Sequence, residues 1–335
     1  MITLAALSAA LGLPCPGSPD LVLNAVAPLE SAGPRDLVGL FEPRWRGSAQ
    51  ATHGAVALTT PTLRHHLPSS TLALVHEDAR ALWGKALRLI YPGPSLQPPP
   101  VGIHPSAVVD PTARVSPAAC IGPLVVIGPF CEIYDHVALY PGVVLGHGVS
   151  IGRGTHVHPR AMLLDDTQVG ARVIIGPGAV LGAVGFGLDA QGLQPHVGRV
   201  RVENGATLGA QTCVDRATVG ETIIGADAHL DNLVQVGHNA TIGPGAVLCG
   251  QVGIAGGAHI EGGVVLGGQA GVAGHVTVAS GVRVAAQSGV TRPLTHPGEF
   301  SGHPAEPNHK RLRREAWWRR EADRALEERA PEKTP

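Results

Sequence analysis

The fourteen residues Leu230–Gly243, LDNLVQVGHNATIG, carry an aliphatic side chain at every sixth position: Leu230, Val236 and Ile242. Toward the C-terminus the same step continues through Leu248, Ile254, Ile260, Leu266, Val272, Val278, Val284 and Val290. An independent run with the same spacing leads from Ile103 to Leu181 without a break. Neither an alternation of two nor a helical period of 3.6 produces this pattern. A step of six is the mark of a hexapeptide parallel β-helix. Each hexapeptide supplies one short strand and one turn, and three hexapeptides close one triangular coil. The aliphatic residue points inward, and the small residue that often follows it fits the corner. Coils stacked about 4.8 Å apart make residues 103–290 a prism about 45–50 Å long.

Two interruptions break the step. After Leu181 the Gly-rich stretch GAVGFGLDAQGLQPHVGRV intervenes before Val202 resumes the register. It reads as a loop thrown out from one corner, and such loops carry function or cover a neighbour. Between Val214 and Ile224 the spacing reads as five and five through Val219.

The flanks follow other rules. Residues 1–98 read as a small α/β domain ending in the stiff linker PGPSLQPPP. The prism is assigned to 99–293, with its inserted loop at 183–201, and a C-terminal extension to 294–335. Within that extension residues 306–330 read as a helix, with Leu312, Ala316, Ala322, Ala325 and Leu326 on one stripe and Trp317 or Trp318 beside it. From Lys310 to Arg320 six basic residues face one Glu. That is either a solvated face or a dock for an acidic partner.

Bulk composition narrows the function. The 335-residue chain is 44% hydrophobic but only 3% aromatic, which suits a thin aliphatic interior. A net charge of -1 supplies no field toward nucleic acid or a membrane surface. The apolar start MITLAALSAALGL lacks a basic region and is too short to span a bilayer. Cys15, Cys120, Cys131, Cys213 and Cys249 are odd in number and form no CxxC or zinc-type cluster, so they read as small apolar residues of a reducing cytosol.

The period also locates a site. Residue 256 lies three hexapeptides, one full coil, above residue 238, so the Gly256 backbone stacks over His238. His275 follows two coils up and one place along. A potential general base beside a glycine N–H is what acyl transfer requires. Asp231, in the preceding unit, could orient the imidazole or serve as a turn aspartate. His136, His147, His156 and His158 read as surface residues. Gamma-type carbonic anhydrases use three histidines on this kind of fold, but their ligand pattern is not found, and no metal site is assigned.

The joint order of LAALSAALGL, VAPLESAGPRDLVGLF, GFGLDAQG, CVDRATVGETIIG, DNLVQVGHN, GQVGIAGGAHI and SGHPAEP resembles the UDP-3-O-(3-hydroxyacyl)glucosamine N-acyltransferases of lipid A biosynthesis over nearly the whole chain. The resemblance implies a left-handed β-helix and a cytoplasmic homotrimer with active sites between prisms. The implied donor is an acyl chain on the 4'-phosphopantetheine of acyl carrier protein, with no bound cofactor. It places the catalytic base at His238, the oxyanion donor at Gly256, an acidic partner at Asp231 and a second histidine at His275. Arg292 matches a position near the pantetheine phosphate, and Phe186 of GFG falls among the substrate-contacting positions. In the N-terminal domain LFEPRW corresponds to the family's uracil-holding segment, with Trp45 for its tyrosine and Arg44 for its lysine. Glu42 stands where asparagine is common, and Gly39 or Leu40 where phenylalanine is expected. That departure leaves a second reading open: a related acyl- or acetyltransferase acting on a different nucleotide-sugar in envelope glycan synthesis.

Overall fold

The computed structural model describes residues 1–92 and 96–328, and the chain divides into two compact units, Met1–Gln97 and Pro98–Pro335.

In the first unit, helix α1 (Leu4–Leu11) is capped at its start by the Thr3 hydroxyl and at its end by Gly12 in the left-handed conformation. Four parallel strands, Ala25–Val26, Asp36–Leu40, Val56–Thr59 and Leu72–Val75, form a sheet in that order. A short helix α2 (Arg46–Gln50) follows a 3-10 turn at Pro43–Trp45. Helix α3 (Ala79–Ile90) opens on an Asp78 cap. Leu4, Leu7 and Leu11 meet Leu37, Val56, Leu58, Ala86 and Ile90 in one core. The α/β expectation is met.

The second unit is a parallel solenoid of two- to four-residue strands in three sheets. Face one has 12 strands, face two 10 and face three 9. Along the regular coils each strand pairs with the strand three hexapeptides on, as in Ile133↔Ile151 and Val236↔Ile254. The inward column Leu230, Val236, Ile242, Leu248 and Ile254 is at most 3% exposed. Where glycine follows an inward residue, the corner has no room for a side chain. A Cβ added to Gly237 would come 2.7 Å from the Gly256 nitrogen. Two residues further on, the turn demands a left-handed backbone, met by Asn239 (φ 59°), Gly257 (φ 67°) and His275 (φ 59°).

Both interruptions leave the stacking intact. An unbroken coil would bring Arg199 over Leu181; the partner is instead Val214, so the first interruption adds fifteen residues. They leave face two after strand Val180–Ala183, form a small hairpin (Leu188–Asp189 with Gly192–Leu193) and return through Arg199–Val202 on face three. The second differs from the sequence expectation. An unbroken coil would bring Asn232 over Val214; the partner is instead Val236, so a single unit carries four extra residues. Val219 is not an inward residue of a shortened unit; it is 72% exposed on a bulge. A five-residue unit could not complete both a strand and a corner, whereas a bulge leaves each strand its full pairing.

Helix α4 (Asn308–Glu328) follows strands Gly298–Ser301 and Glu306–Pro307. Leu312, Trp317 and Trp318 of the expected apolar stripe are about half exposed. The side chains of Ala325 and Leu326, and residues 329–330, lie outside what is described. No described helix is long and apolar enough to cross a membrane.

Candidate active site

Everything distinctive about the solenoid gathers on the edge between faces two and three. The fifteen-residue loop, the four-residue bulge, His238, Gly256 and Gly274 occupy that edge in successive coils, and Arg292 tops the column. The stacking read from the period is present. The Gly257 N–H donates to the His238 carbonyl at 2.8 Å, and a methyl built on Gly256 would sit 2.6 Å from His238 Nε2. His275 also belongs here, its N–H reaching the Gly256 carbonyl at 3.2 Å and its ring lying over Gly257.

The Asn239 side chain fixes which His238 nitrogen is basic. Its Nδ2 donates to the Val219 carbonyl at 2.9 Å, and its Oδ1 accepts the Thr218 N–H at 3.0 Å. That orientation leaves Oδ1, an acceptor, 3.2 Å from His238 Nδ1. The Thr218 hydroxyl is 3.5 Å from the same nitrogen. Nδ1 therefore holds the proton, which leaves the lone pair on Nε2, the ring atom nearest a methyl built on Gly256. Both partners of Asn239 come from the bulge, so the break in the repeat builds the back wall of the histidine.

The Gly256 N–H is available. The position two after each inward residue makes no ladder bond, and at several corners a side chain caps it. Asp165 caps His147, Asn204 caps Ala171, Asn232 caps Ala210 and Glu261 caps Ser280, at 2.6–2.8 Å. Among the described residues nothing accepts from Gly256. A free N–H beside a basic nitrogen can receive a developing oxyanion.

The structure does not bring Asp231 to His238. One hexapeptide step turns the chain through one face, so Asp231 lies on the preceding edge, where its Oδ1 accepts the Asn232 N–H at 2.7 Å. The carboxylate that senses the His238 ring is Asp215, at the end of strand Cys213–Asp215. Burial pushes the Asp215 carboxyl up; the Gln235 amide, at 3.1 Å, and the His238 and His196 imidazoles pull against it. His196, from the fifteen-residue loop, packs edge-to-face on His238 with ring centroids 5.0 Å apart. Sequence reading missed Asp215, His196 and Asn239. CVDRATVGETIIG was recognised only as an irregular motif, and nothing in a broken period says what the extra residues touch. Phe186, in the same loop, is 78% exposed and Arg292 is exposed.

Face two offers a groove of about 480 Å³ that begins at Gln235. The outward positions above it are Gly253, Gly271 and Gly289, and the His303 ring closes over Gly289. Among the described residues no cluster of three or more His, Cys, Asp or Glu is placed to hold a metal.

The first unit has its own cavity of about 410 Å³, lined among others by Glu30, Gly39, Phe41, Trp45 and Trp83. Phe41 and Trp83 meet edge-on at 5.4 Å, and a Cβ on Gly39 would come 2.5 Å from the Phe41 ring. Trp45 is therefore where an aromatic was expected, and Phe41 and Trp83 add walls that the sequence did not disclose. Arg44 does not line the cavity. It pairs with Glu42 at 2.8 Å, and Glu42 also pairs with Arg80 at 2.9 Å.

Comparison with known proteins places the chain among hexapeptide-repeat acyltransferases. Residues 148–183 match the family described as "Bacterial transferase hexapeptide (six repeats)". The UDP-3-O-acylglucosamine N-acyltransferase of Granulibacter bethesdensis is 41% identical over 251 residues, 74% of this chain and 72% of the relative. The protein of the same name from Methylorubrum populi is 45% identical over 257 residues, 74% and 73% of the two chains. Among solved structures, the UDP-N-acetylglucosamine acyltransferase of Arabidopsis shares the fold at a TM-score of 0.52 and 24% identity, covering 64% of this chain and 76% of that one.

Proposed function

Because the chain belongs to the UDP-3-O-acylglucosamine N-acyltransferase family, and is thus an acyltransferase, we propose that it moves a 3-hydroxyacyl chain from acyl carrier protein to the 2-amine of UDP-3-O-acylglucosamine in lipid A biosynthesis. The observation that carries the reading is His238, with Nδ1–H committed to Asn239 and Nε2 beside the free Gly256 N–H.

The amine nitrogen attacks the thioester carbonyl carbon while His238 Nε2 takes its proton. The carbonyl oxygen gains negative charge at the Gly256 N–H. Collapse breaks the carbon–sulfur bond, and the departing thiolate recovers the proton from His238. The products are an amide and a free thiol. An N–H so placed contributes about 3–4 kcal/mol to comparable acyl transfers.

The pantetheine arm suits the side-chain-free groove over Gly253 and Gly271. Arg292, about 14 Å above His238 at three coil steps, answers its phosphate. Trp45, Phe41 and Trp83 offer the stacking surface a uracil ring needs. Glu42 is drawn off by Arg44 and Arg80, which weakens the case for a different nucleotide-sugar. In a homotrimer Asp231 serves a site only across a groove between subunits. The basic stretch Lys310–Arg320 of α4 complements an acidic carrier protein. With purified donor and acceptor, His238→Ala is expected to lower kcat by about 10²–10⁴. Near-normal turnover would refute the base assignment, and activity on acetyl-CoA with none on acyl carrier protein would replace the donor.

A further inference from the structure

His196, within the inserted loop, is buried, 7% exposed, and packs against His238. Its Nδ1 lies 2.9 Å from the Gln194 carbonyl. A carbonyl only accepts, so Nδ1 carries the hydrogen and Nε2 holds the lone pair. That Nε2 is buried with no partner. A Cβ added to Gly185 would come 2.9 Å from both His196 Nε2 and His238 Cβ, so the lone pair opens on the crevice that the His238 ring closes. The rings meet at 75°.

A leucine would fill this volume without the cost of stripping water from a nitrogen and giving it nothing in return. An unpaired buried acceptor beside the proposed base calls for a counterpart. The counterpart at hand is the charge that His238 acquires.

We infer that His196 is a positioning residue for acyl transfer: a fixed neutral imidazole whose negative Nε2 end faces the His238 ring and stabilises the imidazolium formed when His238 takes the amine proton. The inference rests on the reading of His238 as the base. Neutral His238 gains little from this dipole and the imidazolium gains much, so the effect falls on kcat and spares KM.

Other charged or titratable groups on the elements packed here are few. Asp215 lies on the neighbouring strand and senses both rings. Arg216 is turned to backbone, its Nε on the Gly198 carbonyl at 2.7 Å and its Nη2 on the Asp165 carbonyl at 3.2 Å. His275 stands over Gly257. Thr218 and Asn239 complete the wall without charge.

The test compares full-length wild type, His196→Leu, His196→Phe, His196→Gln and His238→Ala, with kcat and KM followed from about pH 5 to 9. Leu and Phe are expected to lower kcat about tenfold, to keep KM within about twofold and to move the acid limb of the rate profile to lower pH. Gln is expected to restore most of the rate, because its amide can donate to Gln194 and present an oxygen to His238. Unchanged kcat and limb in a variant with the wild-type melting temperature would overturn the inference. A limb moved to higher pH would also overturn it, since His196 would then be acting as a cation. Nitrogen NMR of histidine-labelled wild type tests the premise without a variant: a neutral Nδ1–H signal for His196 is expected, and an imidazolium or Nε2–H signal overturns the inference. Active His238→Ala would instead remove the base reading itself. A dead His238→Ala beside wild-type-like His196 variants would sink only the role of His196.

Discussion

Asn239 shows how one backbone requirement selects a neighbour for the proposed base. The corner needs a left-handed residue, asparagine tolerates that conformation, and its amide then lies against His238 Nδ1. Glycine occupies the same corner one coil up, at Gly257, so Asn239→Gly removes the amide without straining the backbone. We expect kcat to fall about 100-fold, as His238 loses the acceptor that fixes its proton, with strand pairing unchanged by circular dichroism. Asp215 yields a different expectation. Its carboxyl is raised by burial, so folding favours the protonated acid. The associated stability is full below the ordinary carboxylate range and is lost as pH rises through the raised value. Asp215→Asn keeps an acceptor for Gln235 and sheds the buried charge. Its melting temperature should exceed wild type at neutral pH, and the gain should vanish in acid. A gain of equal size at every pH would contradict burial of charge as the cause.

Among elements, the edges of the prism differ in character. The edge between faces one and two carries an amide ladder: Gln269 Nε2 donates to Gln251 Oε1 at 2.6 Å, and Gln287 Nε2 to Gln269 Oε1 at 2.8 Å. All three glutamines are left-handed corner residues. Gln269→Leu severs both bonds and should cost about 1–2 kcal/mol; Gln251→Leu severs one and should cost about half as much. Urea unfolding measures both, and equal losses would show that the ladder does not hold the corner. The edge between faces two and three forgoes such capping at Gly256, and an N–H without a partner there is what the proposed chemistry would use. What was legible in the sequence follows this division. Leu230, Val236 and Ile242 were readable because the inward position admits only aliphatic side chains. Gly256 over His238 was readable because three hexapeptides return the chain to the same place. Asn239, Asp215 and His196 were not, because their contacts join two irregular segments whose lengths obey no period. Asp231 differs for the opposite reason: near in sequence to His238, it is carried to the preceding edge of its own prism by one regular step.

At the scale of the molecule, each unit has a core of its own kind. The first folds around a sheet of four parallel strands with α1 and α3 packed on its aliphatic residues. The second is a column of Val, Ile, Leu and Ala with Phe300 near its end and aromatics otherwise absent from its buried cluster. The low aromatic content of the chain is thereby explained, and several of the few rings present cluster in one cavity of the first unit. The solenoid takes in fifteen extra residues on one coil and four on the next, yet Val202↔Ile224 and Val214↔Val236 pair as their neighbours do. Chain length along an edge is thus uncoupled from height along the axis. The prism has a reading frame, as a gene does. One residue lost from Gln235–Val236 would turn every later side chain to the wrong face, whereas insertions or deletions of any size at the exposed Leu188–Leu193 hairpin keep the frame. Side chains of a site can therefore be added to that edge, or exchanged between related chains, without re-solving the core.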